Sequence, residues 1–224
     1  MVKVITVAQQ KGGAGKTTIA AHLAVSLAQT GKRVAIIDID PQGSLTNWHS
    51  IREKKFGIGY TGLNFTASAG WRVESAISKL KHDFDFVVVD APPHTDTESK
   101  TAIRASDLII IPMQPSPTDL WATGVTIEFA KSENINAKIL LNRFNPQSKI
   151  TKQIIAQIPG DVLTSSLGNR VAFSSCFLNG ITVTESDPSS VAAQEVRDLT
   201  TEVISMISSK ETTQKNAKRS VANV

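Results

Sequence analysis

Residues 9–18 read Gln-Gln-Lys-Gly-Gly-Ala-Gly-Lys-Thr-Thr, and this stretch constrains the fold more than any other. In front of it lies an apolar run, Val4-Ile5-Thr6-Val7-Ala8, which reads as a buried parallel strand. Behind it, Ile19 to Ala28 reads as a helix stopped at Gly31. A glycine-rich loop between a strand and a helix N-terminus is a phosphate cradle. Its backbone N–H groups point inward, and the helix dipole favours an anion there. Gly12, Gly13 and Gly15 let the backbone approach phosphate oxygens closely. Ala14 and Thr18 complete the loop. Lys16 is expected to reach the β- and γ-phosphates of a nucleotide, and the Thr17 hydroxyl to ligate Mg²⁺.

The loop departs from the usual G-x-x-x-x-G-K-[ST] pattern. Gln10 stands where the first glycine belongs, and a second lysine, Lys11, precedes Gly12. This form resembles the deviant Walker A box of the ParA/MinD family of ATPases. The resemblance implies that Lys11 reaches across a dimer interface to the partner's nucleotide. The bland alternative is a solvated loop lysine.

Two further strands end in acid. Val34-Ala35-Ile36-Ile37-Asp38 runs into Ile39-Asp40-Pro41-Gln42-Gly43-Ser44, and Phe84 to Val89 ends at Asp90 before Ala91-Pro92-Pro93. In open α/β sheets ligands bind beyond the carboxyl ends of the strands. Asp38, Asp40 and Asp90 beside a phosphate loop therefore suit Mg²⁺ and water positioning. Asp-x-Asp-Pro-Gln-Gly-Ser resembles the family's switch I, which implies a role for Asp40 in hydrolysis. A turn closed by Asp-Pro and Gln-Gly is compatible with it. The Asp90 segment resembles the family's Walker B and switch II end.

Leu63–Ala67, Leu108–Ile111, Ala137–Arg143 and Asp161–Thr164 read as the remaining strands. Residues 45–60 read as a short helix and a connection; Val73–Leu80, Ser99–Ala105 and Ser189–Ser208 read as helices. Pro112, Pro115 and Pro117 stiffen the loop after the fifth strand, with Thr118 or Asp119 as candidate helix caps. This loop resembles the small ParF-type partition ATPases, which implies dimer or higher-order contacts; a rigid connector is the alternative. The resemblance also implies that Asn142 and Arg143 lie near adenine, and that Asp187-Pro188 packs near the base. The guanine-reading Asn-Lys-x-Asp is missing, which favours ATP.

The fold expected is a single-domain α/β P-loop NTPase over residues 1–209. A mostly parallel twisted sheet of about seven strands carries helices on both faces. Residues 210–224 are polar, carry about +3 of the chain's net +4, and read as a disordered tail. The single cysteine, Cys176, excludes internal disulfides and cysteine metal clusters. No stretch reads as a signal peptide or a membrane span, so a cytoplasmic location is expected; the family resemblance implies that it is nucleoid-associated.

Composition permits an acidic partner such as DNA without requiring one. Membership of the ParA/MinD family implies an ATP-dependent homodimer, with catalytic residues Lys11, Lys16 and Asp40. It also implies non-specific DNA binding and a cargo adaptor of the ParB type that stimulates hydrolysis. Lys149, Lys152 and Arg170 are the DNA candidates, against the ordinary solvated-face alternative. A MinD-like protein needs a C-terminal amphipathic helix, which 210–224 does not offer by pattern. A metabolic relative of the dethiobiotin synthetase type is the remaining enzyme alternative.

Overall fold

The computed structural model of the chain describes residues 2–93 and 97–221, with side chains as far as residue 208. The strands are β1 (Lys3–Val7), β2 (Val34–Asp38), β3 (Asn64–Ala67), β4 (Phe86–Asp90), β5 (Leu108–Met113), β6 (Ala137–Phe144) and β7 (Val162–Gly168). They form one sheet in the order β3-β2-β4-β1-β5-β6-β7, and every neighbouring pair is parallel. The helices are α1 (Lys16–Gln29), α2 (Ser44–Phe56), α3 (Val73–Leu80), α4 (Thr97–Arg104), α5 (Pro117–Ser132), α6 (Lys149–Ile155), α7 (Val171–Leu178), α8 (Val183–Ser186) and α9 (Val191–Val221).

The central strands are apolar at nearly every position because both faces of the sheet are covered. Successive side chains alternate between two cores. Ile5, Val7, Ile36, Val88 and Ile110 pack with α1, α7 and α9. Val4, Ala35, Ile37, Val87, Val89 and Ile111 pack with α3, α4 and α5. α1 is buried from Ile19 through Leu27, which explains why that stretch is apolar apart from His22 and Ser26. β1 sits in the middle of the sheet, so the loop that follows it opens at the centre of the carboxyl edge.

Three expectations change. Neither Thr118 nor Asp119 caps α5: Ser116 does, with its Oγ accepting from Asp119 N at 3.2 Å and Pro117 opening the helix. Short helices α6, α7 and α8 occupy stretches without a clear helical period. The last helix runs through to Val221, covering most of the segment read as a disordered tail. Nothing after Ser208 breaks a helix: there is no glycine or proline, and Lys, Glu, Gln and Ala favour it. Residues 222–224 and the side chains of 209–221 lie outside the description.

A buried ion pair ties α2 to α8. Arg52 Nη1 and Nη2 donate to both Glu185 oxygens at 2.9 and 2.6 Å. Its remaining N–H groups reach Thr61 O and Gly180 O, and the guanidinium lies over the Trp48 and Phe56 rings. Glu185 also closes a capping box with Thr182. Burial works to raise the Glu185 pKa, but Arg52 and Thr182 outweigh it and hold the carboxyl below its ordinary value. Glu185→Ala strands a guanidinium that is only 5% exposed. Unfolding in urea should show a loss of about 3–5 kcal/mol.

Candidate functional site

The ends of three neighbouring strands meet here. Val7 on β1 lies opposite Asp90 on β4, and Asp90 lies opposite Asp38 on β2. The loop from Gln9 to Gly15 rises over them. Gly13 and Gly15 adopt left-handed backbone conformations, with φ of 76° and 98°. Two side chains from across the sheet hold the loop's carbonyls. Gln114 Nε2 donates to Gly13 O at 3.0 Å, and Asn142 Nδ2 donates to Ala14 O at 2.8 Å. A Cβ at Gly15 would run into the Asn142 amide. With these carbonyls engaged, the loop's N–H groups are left for a ligand.

Lys16 is buried, and its Nζ donates to Lys11 O at 3.4 Å. Burial lowers its pKa, while Asp90 and Asp40 pull the other way. Asp90 is fully buried; its carboxylate accepts no well-formed hydrogen bond, and the Thr17 hydroxyl is close enough to act on it as a donor. Burial pushes its pKa up to about 8; Asp38 and Asp40 act in the same direction, against Thr17 and Lys16. Asp38 is differently placed. Its Oδ2 accepts from Thr46 N and Oγ1 at 2.8 and 2.7 Å, and its Oδ1 from Asp40 N at 3.0 Å, so it anchors the start of α2. Asp40 accepts from Gln42 N at 2.9 Å and stays half-buried.

The three candidate aspartates are therefore unequal. Asp90 is the least engaged by the protein, Asp40 accepts one backbone N–H, and Asp38 accepts three hydrogen bonds. No group of three or more His, Cys, Asp or Glu side chains among the described residues could hold a metal ion. That donor set fits Mg²⁺, which keeps several waters and is bound through one or two protein oxygens plus substrate phosphates.

Lys11 does not point freely into solvent. Its Nζ donates to Thr118 Oγ1 at 2.9 Å and pairs with Asp119 at the start of α5.

Beside the loop is a cavity of about 220 Å³. Gly15, Thr18, Ile19 and His22 of the α1 side, with Asn142 and Arg143, form one wall; residues 167–171, Phe173 and Ser174 form the other. Arg143 has φ of 50°, a left-handed conformation uncommon outside glycine, steadied by its N–H on Asn142 Oδ1 at 2.9 Å. Asp187 and Pro188, expected near the base, are not among its lining residues. Asp187 instead accepts from Ser189 N and Oγ, stabilising the turn before α9. Arg170, a DNA candidate, lines this cavity and is held by Glu195 through Nε and Nη2 at 3.0 and 2.7 Å. Lys149 and Lys152 are exposed on α6 one turn apart.

His22, Gln114, Thr118 and Asp119 are site residues that the sequence reading did not single out for these roles. His22 is buried, holds Thr18 O through Nδ1 at 2.8 Å, and meets Phe173 edge-on. Burial pushes its pKa down to about 4, so it stays neutral.

Asp90 makes the nucleotide-free protein pH-sensitive. An unfolded aspartate releases its proton near pH 4, whereas folded Asp90 keeps it to about pH 8. The folded state thus binds more protons across this window, and stability falls as pH rises through it. Asp90→Asn should raise the melting temperature at pH 7 in EDTA and flatten the decline between about pH 4 and 8. Differential scanning calorimetry across that range measures both.

Residues 5–183 match a family described as the CobQ/CobB/MinD/ParA nucleotide binding domain. Maintenance of carboxysome distribution protein A of Halothiobacillus neapolitanus is 33% identical over 210 residues, spanning 89% of this chain and 95% of that one. The chromosome-partitioning ATPase Soj of Thermus thermophilus is 28% identical over 244 residues, spanning 92% and 97%. The solved septum site-determining protein MinD with Mg-ADP, from Pyrococcus horikoshii, matches in fold with a TM-score of 0.77 at 20% identity, over 91% and 96%. A phosphate loop at the centre of a seven-stranded parallel sheet, preceded by a second lysine and faced by a buried strand-end aspartate, agrees with that match: the chain belongs to the CobQ/CobB/MinD/ParA nucleotide-binding family.

Proposed function

We propose that this protein is a Mg²⁺-dependent ATPase that pairs with a second copy of itself on ATP. The pair binds DNA without sequence preference and positions a cargo, either a plasmid or chromosome or a protein assembly such as a carboxysome. A partner protein on the cargo stimulates hydrolysis. The observation that carries this reading is the phosphate loop with two lysines above a fully buried Asp90. The carboxysome-distribution and chromosome-partitioning relatives support the positioning role. The Mg-ADP in the related MinD fold supports a magnesium nucleotide.

The residues divide the work. Backbone N–H groups of residues 12–17 hold the phosphates, and Lys16 offsets charge on the transferred group. Thr17 and Asp90 would hold Mg²⁺, which would neutralise phosphate charge. Asp40, half-buried at the mouth, orients the attacking water. Asn142 spends one N–H on Ala14 and keeps the other for a base in the cavity. Lys11 completes a second subunit's site. A lone subunit has no partner to supply that lysine, so its site lacks one positive charge and hydrolyses slowly.

Two measurements test this. Asp40→Ala should slow hydrolysis by about 100-fold or more while ATP-dependent DNA retention persists. Rapid turnover by that variant contradicts the role of Asp40. Lys149→Glu with Lys152→Glu should weaken retention on unrelated DNA sequences alike and lower the salt slope by about one for each lysine. Unchanged retention removes α6 from the DNA face.

A further inference from the structure

Lys11 is the residue that the proposed function sends to a second subunit, yet the single chain already holds it. Its Nζ donates to Thr118 Oγ1 at 2.9 Å and pairs with Asp119 Oδ2. The two charges are unequally placed: the Lys11 side chain is 37% exposed and Asp119 is 0% exposed. Asp119 is fixed from behind. Ser116 Oγ donates to its Oδ2 at 2.6 Å, and Gln114 N donates to its Oδ1 at 3.3 Å. The same Gln114 holds Gly13 O of the phosphate loop. One stiff segment, residues 114–119, therefore grips both the loop and the loop's outer lysine.

The difference in burial sets the energetics. Lys11, once released, is readily solvated or paired with a phosphate. Asp119 cannot leave, and a buried carboxylate without its cation is strongly penalised. Two hydrogen bonds and the N-terminus of α5 offset only part of that charge. Lys11 is released only when a stronger anion competes for it, and a γ-phosphate on a second subunit is such an anion.

We propose that Asp119 is a positioning residue that holds Lys11 on its own chain and so sets how much ATP is needed before two copies pair. This rests on the reading of Lys11 as the crossing lysine. Thr118 adds to the hold, and the neutral contacts of Asp119 keep the acceptor rigid.

The test uses Asp119→Asn, Lys11→Ala and the double variant in the full chain. Without nucleotide, Lys11→Ala strands Asp119 and lowers the melting temperature, and the double variant recovers most of that loss. Asp119→Asn alone has a small effect, because the freed lysine turns to solvent. With Mg-ATP, sedimentation velocity gives the ATP concentration for half-maximal pairing, and a fluorescent nucleotide gives the affinity of the chain for ATP. The ratio of the two should fall about tenfold in Asp119→Asn, since the competent state is no longer rare. Thr118→Val should move the ratio the same way by less. A ratio that is unchanged or higher in Asp119→Asn overturns the proposal, as does a double variant no more stable than Lys11→Ala. Wild-type pairing by Lys11→Ala contradicts the crossing reading itself and is separately visible.

Discussion

The site depends on carbonyl groups being turned away from the space the phosphate loop encloses. A peptide loop offers oxygens as readily as N–H groups, and oxygens repel phosphate. Gln114 from the end of β5 and Asn142 from β6 take up the Gly13 and Ala14 carbonyls. Those strands lie on one side of β1, and the acids on β4 and β2 lie on the other. Phosphate-loop orientation thus comes from one half of the sheet and metal-side chemistry from the other. The strand order brings both to the same edge.

The electrostatics are held in tension. Lys16 and Asp90 are both removed from water, and burial works against the charge on each. Asp90 has only the Thr17 hydroxyl acting on it as a donor, so its buried carboxyl is poorly satisfied by the protein, an environment that would suit a metal ion with its waters. Cores on both faces of the sheet absorb this cost. Lys11 and Asp119 repeat the theme at the rim, except that one partner of the pair is free to leave.

Much of the architecture was legible. Strands of a doubly covered parallel sheet are continuous apolar runs, so β1, β2, β4, β5 and β6 announced themselves. Asp38 and Asp90 were visible as acids closing such runs. The cap of α5 was misplaced by two or three residues because Ser116, Thr118 and Asp119 all have the chemistry of a cap. Helices α6 and α8 carry no clear signal, and of α7 only the start beside Arg170 is legible, because short helices owe their existence to packing rather than to periodicity.

The roles of individual side chains were harder to read. Asp119 looked like a helix cap, and its pairing with Lys11 spans 108 positions. Arg170 looked like a free basic residue, yet Glu195, held at the start of α9, takes it up. Asp38 reads as a metal ligand, and the structure adds a second task for it, accepting from Thr46 N and Oγ1 at the start of α2. For Asp119 and Arg170 the deciding partner is brought in by topology, which local pattern does not encode. The last helix reaching Val221 shows the converse: without a breaker, good helix formers propagate an existing helix whatever their polarity.

The central claim is that γ-phosphate occupancy and pairing of two subunits are one event, joined by Lys11. Analytical ultracentrifugation of the full chain with saturating Mg-ATP, in the hydrolysis-slowed Asp40→Ala background, tests this most directly, with Mg-ADP as the control. The account predicts a dimer with ATP and a monomer with ADP. A monomer under both conditions, or a dimer under both, contradicts it.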